Sequence, residues 1–226
     1  LFPYTTLFRS TVCANMLIVD RNLMDQFTTE GADRVYTHTN GTTYSFGDNE
    51  HNIFTGQVTD MNNLFYSDSN FNSNINHWDT SSVTTMSSMF NAASSFNQPL
   101  NNWDTSNVTN MSDMFRAAPF DQPIGDWDTS SVTNMNSMFY NATSFNQDLS
   151  FWNVSQIPAE PTYFNTDAPF ASNAAYQPRW GVNTCYESAD IGTVGAAGTV
   201  CENMLIVDRA LMDQFTTEGA DRVYTH

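Results

Sequence analysis

The sequence predicts an α/β repeat solenoid made of coils of about 25 residues, each with one short helix and one short strand, closed at its N-terminal end by an α+β cap. Three observations carry this prediction. Trp78, Trp103, Trp127 and Trp152 recur at spacings of 25, 24 and 25 residues. Each lies in the same template, x-V-T-x-M-x-x-M-F-x-x-A-x-x-F-N-Q-x-L-x-x-W-D-T-S. On a longer scale, residues 11–38 return almost unchanged as residues 199–226, with Cys13 aligned to Cys201 at a period of 188. A coil of this length cannot bury its apolar face alone, whereas stacked neighbours share one continuous core.

The composition fits ordered coils. The chain of 226 residues contains 26 Asn, 27 Thr and 21 Ser, and only 14% of its residues are charged. Disorder is disfavoured because 14% aromatic residues and 11 Met supply large apolar groups. A formal charge of −17 with no lysine excludes phosphate-rich partners, so neither nucleic acid nor an anionic membrane is expected to bind. The longest apolar runs, such as Met16 to Val19, are far too short to span a bilayer.

Taken in order, residues 1–10 (LFPYTTLFRS) resemble a translated sequencing adapter and are set apart from the fold. Residues 11–56 form the expected N-terminal cap. Met16 to Val19 reads as a strand, Asn22 to Glu30 as a helix stopping at Gly31, and Val35 to Phe46 as a hairpin turning at Asn40-Gly41. Residues 57–155 are four coils. In them Met86, Met89, Phe90 and Ala93 fall at i, i+3, i+4 and i+7, the spacing of one helix face. Thr84 and Thr85 precede that helix as caps, and Pro99 follows it as a stop. The W-D-T-S-x-V-T segment reads as a short strand interrupted by a turn at Asp-Thr-Ser. Residues 156–185 form a C-terminal cap, with Ile157, Tyr163, Phe164 and Phe170 in core slots and Pro158 and Pro161 breaking the helix. Residues 186–199 are a linker, and residues 200–226 open a second tandem unit.

The repeat V-T-N-M-S-x-M-F-x-x-A-x-x-F-N-Q-x-L-x-x-W-D-T-S, with the closing P-R-W-G-V-N-T-C, closely resembles the BspA-like leucine-rich-repeat surface proteins of bacteria. The resemblance covers about residues 57–185. It implies a leucine-rich-repeat-like coil, a secreted or cell-surface address and a part in adhesion, with no catalytic residues to carry over. The sequence departs from the family pattern at Thr80, Thr105 and Thr129, where Val is commoner. The third coil also lacks one residue before Phe120, and the first has Asp68 in place of Ala.

Chemistry is concentrated in columns of like residues. Asp79, Asp104 and Asp128, continued by Asn153, would stand roughly 5 Å apart in adjacent coils. That acidic column is the candidate binding feature and a weak candidate for calcium. The competing reading is that each carboxylate accepts amides of its own Thr-Ser turn. No other cofactor is indicated. Asn72, Asn97, Asp121 and Asn146 read as a structural ladder bonding the backbone of the next coil. Thr80, Thr105 and Thr129, paired with Thr84, Thr109 and Thr133, would make an ice-binding array if their edge were flat and exposed. No catalytic motif occurs, and the chain is expected not to be an enzyme.

The odd count of three cysteines follows from the tandem period, and two pairings are open: Cys185 with Cys201, or Cys13 with Cys185. Either suits an oxidising, extracellular compartment, while free thiols in the cytosol are the alternative. The expected function is binding of a protein or glycan through the coil surface. The alternative is a structural spacer in a longer tandem protein.

Overall fold

A computed structural model describes residues 17–29, 35–37, 43–45 and 53–181. Strand β1 (Leu17–Ile18) pairs in parallel with β4 (Ile53–Phe54), matching Leu17 to Ile53 and Ile18 to Phe54. Helix α1 (Arg21–Thr29) follows β1, and Asp20 caps it by accepting the Leu23 amide at 2.9 Å. Strands β2 (Val35–Thr37) and β3 (Thr43–Ser45) are antiparallel, with Tyr36 opposite Tyr44. Val19, Met24 and Tyr44 are buried, which joins these elements to the apolar core of the coils.

From Thr55 onward the chain winds in coils that stack in parallel. Single bridges connect Asp60 to Thr85, Thr85 to Asn110 and Asn110 to Asn134, one per coil. The backbone groups between the coils are met in strict alternation. Met86, Ser88, Phe90 and Ala92 donate their amides to the carbonyls of Asn110, Ser112, Met114 and Arg116 in the following coil, at 2.8–3.0 Å. The intervening Met89, Asn91 and Ala93 donate within their own coil, to Met86, Ser88 and Phe90, at 3.0–3.2 Å. This arrangement satisfies buried backbone that would otherwise be costly to desolvate.

The helix expected in each coil is absent among the described residues, and two successive β-turns stand in its place. Residues 86–89 and 90–93 each close with a bond from the fourth amide to the first carbonyl. The third residue of each turn, Ser88 and Ala92, has φ of 55° and 56°, as a type II turn requires. Asn63, Ser67, Asp113, Ala117, Ser137 and Asn141 repeat this conformation in the other coils. The four corners of two adjoining turns fall at i, i+3, i+4 and i+7, so the turns reproduce the apolar spacing of a helix face. A helix would have kept its amides within the segment; the turns free every second one for the neighbouring coil. The expected short strand is likewise absent from the W-D-T-S-x-V-T segment, and the single bridge residue lies just beyond it, as Asn110 does after Thr109. The turn expected at Asp-Thr-Ser is present, closed by the Ser106 amide donating to the Asp104 carboxylate at 3.0 Å, and a β-turn follows it from the Val108 amide to the Thr105 carbonyl at 2.9 Å.

The repeated apolar residues all point inward. In the second coil Val83, Met86, Met89, Phe90, Ala93, Phe96, Leu100 and Trp103 are buried, and the third and fourth coils match it. The four tryptophans stack ring over ring at 6.4–6.5 Å, within 8° of parallel. Phe65, Phe90, Phe115 and Phe139 form a second column at 5.5–5.8 Å. Phe71, Phe96, Phe120 and Phe145 form a third at 5.5–6.1 Å, and the residue missing before Phe120 does not interrupt it. Each buried indole N–H of Trp103, Trp127 and Trp152 donates to the carbonyl of Ile75, Leu100 or Ile124 in the preceding coil, at 2.9–3.1 Å.

The C-terminal end is built differently. Residues 157–168 make a fifth, modified coil, followed by two short 3-10 turns, η1 (Pro169–Ser172) and η2 (Ala174–Tyr176). Ile157, Phe164 and Phe170 are buried as expected of core slots, but Tyr163 is 62% exposed and is corrected to a surface residue. The chain register explains the difference. Phe139 donates to Phe164 as Phe115 does to Met138, so Phe164 takes the core methionine position. Tyr163 is thereby left at the outward corner of the turn, with φ of 54°.

Candidate functional site

The Asp column lies on the exposed edge, at the turn that follows each tryptophan. In each coil one carboxylate oxygen is occupied locally. Oδ1 of Asp79, Asp104 and Asp128 accepts the amide of Ser81, Ser106 or Ser130 at 2.9–3.1 Å and the hydroxyl of the same serine at 2.6 Å. The Ser106 hydroxyl, and next its amide, hold the Asp104 carboxyl below its ordinary pKa of 3.8, against a small opposing effect of burial. Among the described residues no three His, Cys, Asp or Glu side chains converge on a common point for a metal ion. Asn153 repeats the same turn contact with a neutral side chain, accepting the Ser155 amide at 3.2 Å.

The threonines divide into two rows with different surroundings. Thr55, Thr80, Thr105 and Thr129 are at most 1% exposed. Their hydroxyls donate at 2.9 Å to the carbonyls of Asp79, Asp104, Asp128 and Asn153 in the next coil. Thr84, Thr109 and Thr133 are exposed, and each donates to the threonine carbonyl of the preceding coil at 3.1–3.2 Å. A double array for ice therefore does not form, because one of its two rows is inside. At these buried positions threonine fills the space and adds a bond between coils.

Asn72, Asn97, Asp121 and Asn146 form the ladder expected of them. Oδ1 of Asn72, Asn97 and Asp121 accepts the backbone amide of Asn97, Asp121 and Asn146 at 2.9–3.0 Å. The next glutamine of each following coil adds a second donor: Gln98, Gln122 and Gln147 reach the same three oxygens at 2.8–3.2 Å. These side chains hold adjacent coils in register.

Arg21, which the sequence pattern does not single out, closes the first coil. The carbonyls of Thr85 and Ser87 accept amides of the preceding coil, at Met61 and Asn63. Asp60 and Asn62 hold the same register in the first coil, where no coil precedes them. The Arg21 guanidinium takes that role, donating to the Asp60 carbonyl at 3.2 Å and the Asn62 carbonyl at 2.7 Å. It also pairs with the Asp60 and Asp25 carboxylates, at 3.2 and 2.9 Å.

The side chains that differ between coils lie outside. Tyr66, Asn91, Arg116 and Tyr140 share one position of the repeat, and Asn63, Ser88, Asp113, Ser137 and Tyr163 share another. Three coils bring Arg116, Tyr140 and Tyr163 together. The guanidinium carbon of Arg116 lies 4.9 Å from the centre of the Tyr140 ring, and the two tyrosine rings are 5.6 Å apart at 64°. Arg116 also pairs with Asp113 at 3.1 Å. The signal for this group is variation at fixed repeat positions, which the search for recurring residues passes over. Cys13, Cys185 and Cys201 lie outside the described residues. No helix among the described residues is long and apolar enough to cross a membrane.

A family model described as "Mycoplasma protein of unknown function, DUF285" matches residues 36–120 and again 116–189, together more than half of the chain. No curated protein and no solved structure matches it.

Proposed function

The chain belongs to the DUF285 family of bacterial surface repeat proteins, and from that membership we propose that it is a non-enzymatic binding module displayed at the cell surface. The coils form a leucine-rich-repeat-like solenoid of the BspA-like kind, which engages a protein or glycan and so mediates adhesion. One observation carries the reading. The recurring side chains are used within the stack, as core, ladder or turn, whereas the side chains that vary from coil to coil stand on the outside. A scaffold that presents a surface has this division; an inert rod has no need of varied outer positions. The strong negative charge directs that surface toward neutral or basic partners. A spacer in a longer tandem protein is the rival. Immobilised matrix proteins and a glycan panel, probed with the full chain, separate the two: saturable binding supports the module, and no binding across the panel overturns it.

A further inference from the structure

Tyr163 occupies a conformation that suits it poorly. At the same register the other coils carry the small polar residues Asn63, Ser88, Asp113 and Ser137, of which Asn and Asp are enriched at positive φ, whereas Tyr163 holds φ of 54° with a bulky ring. Burial offers no compensation, since the residue is 62% exposed. A strained, exposed aromatic residue is a feature from which function is properly inferred. Its surroundings are also arranged. Tyr140 stands against it at 5.6 Å, Arg116 lies over the Tyr140 ring, and Asp113 holds the guanidinium at 3.1 Å. Two inclined rings thus adjoin a planar donor and a carboxylate acceptor.

We infer that Tyr140 and Tyr163, with Arg116 and Asp113 at their edge, form a subsite for a neutral oligosaccharide. The inference rests on the proposed role as a surface binding module and names its ligand class. A pyranose presents apolar C–H groups on its face, which suit a rigid tyrosine ring, and vicinal hydroxyls at its rim, which need a paired donor and acceptor. Charge selects a neutral sugar. Arg116 is already paired with Asp113, and a chain of −17 repels carboxylated or sulfated saccharides. Size disfavours a protein partner here. The other exposed aromatic residues, Tyr66 and Phe151, make no ring contact with this pair among the described residues, so the aromatic patch is two rings wide, the breadth of a sugar or two rather than of a protein interface of about 20–30 residues a side.

The test titrates the full chain with cellohexaose, chitohexaose, maltohexaose and mannohexaose, with hyaluronan hexasaccharide as the anionic comparison, by ligand-observed NMR. At least one neutral hexasaccharide is expected to saturate at millimolar concentration. Tyr163→Asn, which places at this position the residue the first coil carries there, weakens binding by about tenfold or more while the melting temperature holds or rises. Phe151→Ala, at an exposed aromatic residue outside these positions, leaves binding unchanged. The subsite is overturned if no neutral hexasaccharide saturates, if hyaluronan binds better, or if Tyr163→Asn leaves binding intact. Should the chain hold a matrix protein equally with and without Tyr163 while ignoring every sugar, the subsite falls and the binding-module reading stands. Silence toward both sugars and matrix proteins overturns the two together.

Discussion

The interior coils and the last coil are made from the same template but solve opposite problems. Inside, each coil must be a good surface for the next. Phe90, Phe115 and Phe139 lie face to face within 14° of parallel, and alternate amides project toward the following coil. At the end the chain must cease to be such a surface. Phe164 and Phe170 meet Phe139 edge-on at 90° and 80°, and Phe170 meets Phe145 at 81°, so no parallel ring face is left for a sixth coil. Pro161 stands where Met86 and Met111 donate to the next coil, and proline has no amide to offer. The first coil meets the mirror-image problem with Arg21, which supplies donors to carbonyls that lack a preceding coil. The stack is thus closed by turned rings and one missing amide at one end and by added donors at the other.

The largest effect is expected from breaking an interior column. Trp127→Ala removes a ring stacked between Trp103 and Trp152, together with the indole N–H bonded to the Leu100 carbonyl. A loss of about 3–5 kcal/mol is expected by urea denaturation. Because each coil relies on its neighbours, the transition should also lose cooperativity, with a smaller m-value than the parent. Next comes Thr105→Val, which preserves volume at a fully buried site but leaves the Asp128 carbonyl without its hydroxyl donor. The cost should be about 1–3 kcal/mol, and its size measures how far the buried threonine row stabilises the stack beyond mere filling. At the N-terminal end, Arg21→Met keeps the apolar stem and removes the donors. About 1 kcal/mol is expected, because the guanidinium is partly solvated and water replaces some of its bonds. A loss as large as that of Trp127→Ala would make the end as important as the interior and break the contrast.

Legibility followed the same division. The core positions could be read because apolar residues recur in register through four coils, and every apolar template position from Val83 to Trp103 is buried. The ladder at Asn72 and Asn97 was legible for the same reason. The local backbone was not. Two joined type II turns and one helix face share the spacing of Met86, Met89, Phe90 and Ala93, so periodicity alone does not distinguish them. The polar residues between them hold the clue: Asn63 and Asp113 are types that accept positive φ, and Asn, Ser and Asp are weak helix formers. At the C-terminal end the register shifts beyond Ile157, so that two adjacent aromatic residues compete for one core slot. Their order in the sequence does not say which of Tyr163 and Phe164 wins. Arg21's pairing with Asp25 at i,i+4 was open to reading, but its role at the end of the stack was not, because the carbonyls it meets there are groups that every residue carries.

The smallest effect should come from acid, and it sharpens the same contrast at a single turn. In the second coil Asp104 accepts the amide and hydroxyl of Ser106, whereas in the fourth coil, the last that follows the template closely, Asn153 accepts the Ser155 amide with a side chain that does not titrate. The Asp104 carboxyl is held below 3.8 in the folded chain by those two bonds, and unfolding releases it to the ordinary value. The folded state therefore binds its proton less readily than the unfolded one. Its contribution to stability is complete above the unfolded pKa and is lost as the pH falls through 3.8 toward the folded value. Asp104→Asn converts the turn to the form found at the end of the stack. It should narrow the gap in melting temperature between near-neutral and acid solution, with most of the difference from the parent arising below about pH 4. The exposed position keeps the effect small, since water competes for the same carboxylate. An identical pH profile for parent and variant would show that the Ser106 bonds are matched by water in the unfolded chain. The interior and terminal turns would then be equivalent despite their different side chains.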